Sequence, residues 1–289
     1  MNQELKQAAI VGGKGKEGKR WEKILSSQGW TVHIVDRNDP VWIIECCSLV
    51  VLAISWRAIK EMRDVIDHIK PGAVCVSAMG RMSKKAFELK GRDGEGTLYL
   101  CDLLLRKKVE LAFVHFMYAS HMEDGSKQNA AIDDSRCSLS NSQMVCALVA
   151  KTNATLVPVE RERHDKITAF TQRMMREFAL MFAHAAIAEN ITFQEMYSLS
   201  TPPFRAFLAM VCRVLLQPRQ LNEEIVLDLQ DIPATTSALV TIKYLACKKR
   251  QEERGLGEAS ASKEFGEFFI KTQRFVKSDL AAELAVALV

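Results

Sequence analysis

The sequence predicts an α/β protein: a doubly wound, mostly parallel sheet followed by an all-α domain. Three observations carry that expectation. A strand, a glycine-rich turn, a helix and a second strand fall in order within residues 8–36. Short apolar runs of strand type then alternate with helical patterns up to residue 159. From there strand signals cease, and apolar residues recur at helical spacing. The length of 289 residues suits two domains, with expected bounds of 1–159 and 160–289.

The opening stretch, AAIVGGKGKEGKRWEKILSSQGWTVHIVD, is the element on which the rest depends. Ala8 to Val11 reads as a strand, and Gly13-Lys14-Gly15-Lys16-Glu17-Gly18 follows as GxGxxG. A helix is expected from Glu17 to Gln28, with Trp21, Ile24 and Leu25 on one face and Gly29 ending it. Thr31 to Val35 is the second strand, closed by Asp36, 18 positions past Gly18. In such a unit Gly13 is expected to permit the tight turn. Gly15 would let the backbone approach a pyrophosphate, and Gly18 would let helix and strand lie close. The helix N-terminus offers unpaired N–H groups and partial positive charge to phosphates. Asp36 can accept from both ribose hydroxyls, which favours NAD, whereas Arg37 beside it could meet the 2′-phosphate of NADP. Lys14, inside the turn, joins the expected cofactor-binding set. The cluster of Lys14, Lys16, Lys19 and Arg20 fits a solvated helix face better than a phosphate clamp.

Further along, Ser48 to Ile54 is a continuous apolar run, as a buried parallel strand requires. It ends at Ser55, where a cofactor would cross the strand's carboxyl end. Ala58 to Ile69 reads as a helix stopped by Lys70-Pro71-Gly72, and Ala73 to Ser77 as a strand. Gly91 to Gly96 is a polar loop. Val109 to Val114 is a strand with His115 at its end, and residues 119–143 are polar and loop-rich. A helix from Gln143 to Thr152 and a strand from Thr155 to Val159 complete the domain. In the helical half, Phe170, Met174, Phe178, Met181 and Phe182 mark one stripe, expected as core and subunit interface. Leu208, Val211, Leu215 and Leu216 mark another.

Composition sets bounds on function. The chain is 48% hydrophobic and 26% charged, with a net charge of +4, too small to argue for nucleic acid. None of its eight cysteines forms a CxxC, and no His/Cys spacing suggests a metal site. No signal peptide and no run of membrane-spanning length is present, so a reduced, cytoplasmic protein without membrane partners is expected.

Four collinear stretches resemble the prephenate dehydrogenase family, in particular the dehydrogenase half of the enterobacterial fusion with chorismate mutase. The glycine turn is similar to the family's nucleotide-binding start. VHFMYASHMEDGS resembles the catalytic histidine segment, ERERHDKITAFTQ the EHD segment that opens the helical domain, and LSTPPFRAFLAMVCRVLLQ the substrate-binding helix. The mutase half is expected to be absent, because the glycine turn begins within the first 13 residues. The resemblance implies a Rossmann-type NAD-binding domain, a helical substrate-binding and dimerisation domain, and a homodimer. It also implies oxidative decarboxylation of prephenate to 4-hydroxyphenylpyruvate. His115 matches the histidine that hydrogen-bonds the substrate's ring hydroxyl and would accept its proton as hydride leaves. Arg213 matches the arginine on the ring carboxylate, Arg205 a second arginine of that helix, and His164 the EHD histidine. Prephenate is a dianion, and a guanidinium holds a carboxylate with two parallel hydrogen bonds.

Departures from the family pattern are local. The family's D-x-x-S-x-K reads Ser77-Ala78-Met79-Gly80-Arg81-Met82, so the serine that bonds the histidine becomes Gly80 and the lysine Met82. Arg81 offers a charge from the neighbouring position, pointing elsewhere. Phe116 and Ala119 replace the Pro and Gly of the histidine motif, and His121 replaces an acidic residue. A histidine usual in the helical domain falls at Arg176, which joins His121 in the expected substrate-binding set. Three functions stay open: prephenate oxidation, oxidation of an analogue such as 4-amino-4-deoxyprephenate, and a catalytically weak NAD-binding member with a regulatory role.

Overall fold

A computed structural model of the chain describes residues 6–82, 88–89, 98–118, 128–219, 221–222 and 225. The chain divides into two compact units, Met1–Asp165 and Lys166–Val289.

The first unit opens with β1 (Gln7–Val11), α1 (Lys16–Ser27), β2 (Thr31–Val35) and β3 (Leu49–Leu52). It continues through α2 (Arg63–Asp67), β4 (Val74–Ser77), the short antiparallel pair β5 (Glu88–Leu89) and β6 (Leu98–Tyr99), and α3 (Leu100–Arg106). β7 (Glu110–Phe116), β8 (Asn129–Arg136), α4 (Leu139–Ala150) and β9 (Thr155–Pro158) follow. Seven strands form one sheet in the order β2-β1-β3-β4-β7-β8-β9. β2, β1, β3, β4 and β7 run parallel, β8 is antiparallel to β7, and β9 is parallel to β8. From β1 the sheet grows to both sides. The carboxyl ends of β1 and β3 therefore flank the crevice where ligands bind in folds of this class.

Alternation along the strands builds a core on each face. Ala8, Ile10, Leu49, Val51, Val74 and Val76 pack with Trp21, Ile24 and Leu25 of α1 and with Val145, Leu148 and Val149 of α4. Ala9, Val11, Val50, Leu52 and Cys75 pack on the other face with Ile66 of α2 and with Leu100, Leu103 and Leu104 of α3. Both strand faces are covered, which is why these strands read as unbroken apolar runs.

Several expected elements differ. Ala58 to Ile69 is not one helix. A 3-10 turn, Trp56–Glu61, hands over to α2 at Met62 (φ −91°, ψ 15°), whose side chain packs on the core. The loop expected at 119–143 contains β8. Its Ala130-Ala131-Ile132 run is buried throughout, so it lacks the alternation that marks a strand. Its two aspartates are held by partners outside the strand: Asp133 by Arg161 Nε at 2.9 Å and Asp134 by the Ser142 hydroxyl. Pairing with β8 carries β7 on to Phe116, so His115 lies within the strand rather than after it. α3 was not anticipated, and α4 starts four residues before the expected Gln143.

α5 (Arg161–Thr168) carries the chain from the first unit into the second. A π-helical turn, Ala169–Arg173, then leads to α6 (Met174–Ala188), α7 (Phe193–Ser198) and α8 (Pro202–Leu215). Thr192 and Glu195 close a capping box on α7, and Pro202 and Pro203 open α8. Ala179, Leu180 and Ala183 of α6 pack with Leu208, Val211, Cys212 and Leu215 of α8. The buried face of α6 is thus made of small residues. Of the expected Met/Phe stripe, Phe170 and Phe178 are 50% and 38% exposed, whereas Phe182 packs on this core, its ring 5.0 Å from that of Phe207 in α8. Among the described residues no helix is long and apolar enough to cross a membrane, and no cluster of His, Cys, Asp and Glu could hold a metal ion.

Candidate active site

The glycine turn sits at the carboxyl end of β1. Gly12, not Gly13, makes the tight turn: it has φ +81°, and a Cβ there would meet the Ala53 carbonyl at 2.5 Å, just past β3. Gly13 lies against Ile34, where a Cβ would come within 2.6 Å of that side chain. At Gly18 a Cβ would meet Gly13 Cα at 2.5 Å, so this glycine lets α1 pack on the turn. Gly15 differs, since a Cβ there would meet only the Gly12 carbonyl, at 3.2 Å. It is also the N-cap of α1 with no side chain capping the helix. The N–H groups of Gly12, Lys14 and Gly15 are taken by the Val35 carbonyl, Asp36 and the Gly12 carbonyl, so it is the first turn of α1 that offers N–H groups to a dinucleotide pyrophosphate. Glu17, the acid of the first turn, is engaged by Arg20 Nη1 at 3.2 Å, and burial raises its pKa against the pull of that arginine.

Asp36 follows β2. Its carboxylate accepts from the backbone N–H of Lys14 at 3.1 Å and of Arg37 at 3.2 Å, which leaves lone pairs for ribose hydroxyls. Asp39, not singled out in the sequence, accepts from the Asp36 N–H at 2.9 Å and pairs with Lys14 Nζ at 3.5 Å. Two carboxylates here suit a ribose better than a 2′-phosphate. Ser55 is exposed beyond β3, its carbonyl accepting from Ala58 N–H at 2.9 Å. Gly13, Lys14, Gly15, Gly18, Asp36 and Ser55 thus gather at the carboxyl edge of β1, β2 and β3. Arg20 is not on a solvated face: it is buried, 4.6 Å above the Phe116 ring and 4.5 Å above that of Tyr118.

His115 belongs to a hydrogen-bonded chain. Its Nδ1 lies 3.0 Å from Nε2 of His164, and Nδ1 of His164 lies 2.9 Å from Oδ1 of Asp165. Asp165 Oδ1 also accepts from the Met82 N–H at 2.8 Å, and Arg81 Nε stands 3.6 Å from Oδ2. An aspartate with these partners is an anion and only accepts. His164 must therefore carry its proton on Nδ1 and accept at Nε2. His115 must in turn donate from Nδ1, so its lone pair sits on Nε2. That nitrogen faces Gly80, whose absent Cβ would lie 3.7 Å away. Burial pulls the His115 pKa down to about 3; the His164 and Arg20 charges act the same way, and Asp165 opposes them. The imidazole is therefore neutral at ordinary pH, with a lone pair fixed in direction.

His164 is buried, with His115 and Asp165 on its two ring nitrogens. Asp165 and Arg81 complete the chain. Asp165 was visible in the HD of the EHD-like segment, whereas the role of Arg81 depends on a fold contact with no sequence signal. Met82 is fully buried in the core, so no side chain replaces the family lysine at that position. His121 lies outside the described residues.

The remaining expected residues belong to the second unit. Arg205 is exposed, 4.9 Å above the Tyr197 ring, and Arg213 is exposed in the last turn of α8. Arg176 is buried. It donates from Nη1 to the Gln172 carbonyl and from Nη2 to Gln217 Oε1, both at 3.0 Å, and its Nε finds no acceptor among the described residues. Burial lowers its pKa to about 10. Its acceptors carry no charge, so this guanidinium suits an anion.

No family model matches the chain. It is 24% identical over 269 residues to the T-protein of Enterobacter agglomerans, covering 91% of this chain and 64% of the relative. To the T-protein of Haemophilus influenzae it is 24% identical over 246 residues, covering 79% and 58%. The chain thus spans less than two thirds of the length of these relatives. In fold it is similar to prephenate dehydrogenase from A. aeolicus, solved with hydroxyphenyl propionate and NAD+. The TM-score is 0.59 at 13% identity, covering 94% of this chain and 98% of that one. Synechocystis arogenate dehydrogenase gives a TM-score of 0.58 at 12% identity, with 93% and 96% covered. The Rossmann-type fold expected from the sequence is therefore found in these neighbours, and the T-protein relatives support the prephenate dehydrogenase family.

Proposed function

We propose, from this kinship, that the chain is an NAD-dependent oxidoreductase that oxidatively decarboxylates prephenate to 4-hydroxyphenylpyruvate. The observation that carries the reading is the His115–His164–Asp165 hydrogen-bonded chain, in a protein similar to the T-protein of Enterobacter agglomerans over 91% of its length. Gly13, Gly15, Gly18, Lys14, Asp36 and Ser55 hold the cofactor. Bound NAD supplies a two-electron oxidant. His115 Nε2 takes the proton of the ring hydroxyl, so that a carbonyl forms as the carbon loses hydride and CO2 leaves. Arg213 and Arg205 bind carboxylates of the dianion. Arg176, whose described acceptors are neutral, takes an anionic group as well.

A second reading has a specific observation in its favour. Glycine at position 80 puts no Cβ beside His115 Nε2, where one would stand 3.7 Å away. That leaves room for a ring substituent other than hydroxyl, such as the amine of 4-amino-4-deoxyprephenate. NADH absorbance with each substrate offered in turn separates the two. The faster substrate identifies the function, and silence with all of them leaves only the weak, regulatory reading.

We further propose a cytoplasmic homodimer joined through the helical unit, whose Phe170, Phe178 and Leu199 are exposed apolar side chains. Sedimentation at micromolar concentration tests the assembly, and a strict monomer would refute it.

A further inference from the structure

We infer that His115 and His164 act as one base: the proton taken at His115 Nε2 is matched by passage of the Nδ1 proton to His164, so the charge comes to rest beside Asp165. The inference rests on the reading of His115 as the base and extends it to two positioning residues, His164 and Asp165.

The geometry decides where the charge settles. A proton left on His115 would make an imidazolium against a second imidazole, disfavoured by burial and by the Arg20 charge, with the Asp165 carboxylate only beyond that ring. A proton passed on makes His164 the imidazolium. Both of its N–H groups then have acceptors in place: Asp165 Oδ1 at 2.9 Å and His115 Nδ1 at 3.0 Å. Asp165 stays ionised throughout, because the Met82 N–H and Arg81 also hold it. The balance is simple. The substrate O–H bond breaks with its electron pair left on oxygen, and Nε2–H forms on His115. Nδ1–H of His115 breaks, and Nε2–H forms on His164. One proton enters the pair, and His115 ends neutral in the opposite tautomer.

The same exchange silences the resting protein in acid. A proton that reaches the pair before substrate puts charge on His164, which must then donate to His115 Nδ1. His115 is left with Nε2–H and no lone pair for a substrate. The groups that set this balance are Asp165 and Arg81 on the His164 side and Arg20 on the His115 side. The loss of activity in acid therefore reports the pair, as coupled sites do, and not His115 alone.

The test is 1H–15N long-range correlation on the full chain with 15N-labelled histidine, without NAD or substrate, titrated from about pH 8 to about pH 5. At the basic end both residues should show the Nδ1–H tautomer. On acidification His164 should become the imidazolium while His115 stays neutral and switches to Nε2–H. An imidazolium signal on His115, or Nε2–H on His115 at the basic end, overturns the inference. The isosteric Asp165→Asn should move the transition to lower pH by about one unit or more. With a competent substrate it should also cut kcat by about 10²-fold or more with KM little changed. An unchanged transition and an unchanged kcat in that variant overturn it equally. Because the tautomer readout needs no turnover, a chain that oxidises none of the substrates sinks the proposed function and leaves this inference to its own result.

Discussion

Replacing Gly15 and Gly18 separately with alanine distinguishes a glycine kept for the cofactor from one kept for the fold. At Gly18 the new methyl would stand 2.5 Å from Gly13 Cα, where real contacts do not fall below 3.0 Å. Backbone must therefore open by at least 0.5 Å (3.0 − 2.5), with no flexible side chain to absorb the shift. Overpacking of this kind costs about 1–3 kcal/mol. In a unit of this size that lowers Tm by roughly 2–12 °C. At Gly15 the methyl meets only the Gly12 carbonyl, at 3.2 Å, so the fold should be left within about 0.5 kcal/mol of its original stability. The methyl instead enters the space above the helix N-terminus. Loss of one charge-assisted hydrogen bond to a phosphate is worth about 1.5–3 kcal/mol, or roughly ten- to a hundredfold in Kd. Thermal unfolding and calorimetric titration with NAD read the two effects independently. Unaltered NAD affinity in Gly15→Ala would refute the assignment of this turn to the pyrophosphate.

Other outcomes follow from the same geometry. His115→Asn should lower kcat about 10²–10⁴-fold with little change in KM, whereas Arg213→Gln should chiefly raise KM, about ten- to a hundredfold; steady-state kinetics separates them. Asp36→Ala should weaken NAD more than NADP, since it loses a ribose acceptor and relieves repulsion of a 2′-phosphate; a parent protein that prefers NADP would contradict this. Stability should fall with acidification. The folded pKa of His115 is depressed to about 3, so below about 6.5 the unfolded chain takes a proton that the folded His115 refuses until about pH 3. Urea titrations should accordingly show a shallower loss between neutral and mildly acid pH in His115→Asn than in the parent.

What the sequence made legible was whatever rested on local chemistry. The turn, α1 and β2 follow from glycines and a helical stripe only a few residues apart, and the parallel strands follow from runs buried on both faces. β8 was hidden because its aspartates break the apolar pattern, and partners such as Arg161 and Ser142 meet them only in the fold. The π turn and the small-residue face of α6 were hidden because a Phe and Met stripe outweighs alanines in any hydrophobicity pattern. At the site, His115 was legible as a strand-end histidine within a motif. Its orientation was not, because the residues that fix it, Arg81, His164 and Asp165, come from two stretches about 83 positions apart that meet only in the fold. Gly12 escaped notice because the GxGxxG spacing starts one residue later.

On the proposed reading, one neutral imidazole couples loss of the ring substituent's proton to oxidation and loss of CO2. The most direct measurement is the simultaneous yield of NADH and CO2 from prephenate, and from 4-amino-4-deoxyprephenate, in the parent protein and in His115→Asn. The account predicts equal yields of the two products from one of these substrates, both suppressed together in the variant. Release of CO2 without NADH, or equal turnover by the variant, would contradict it.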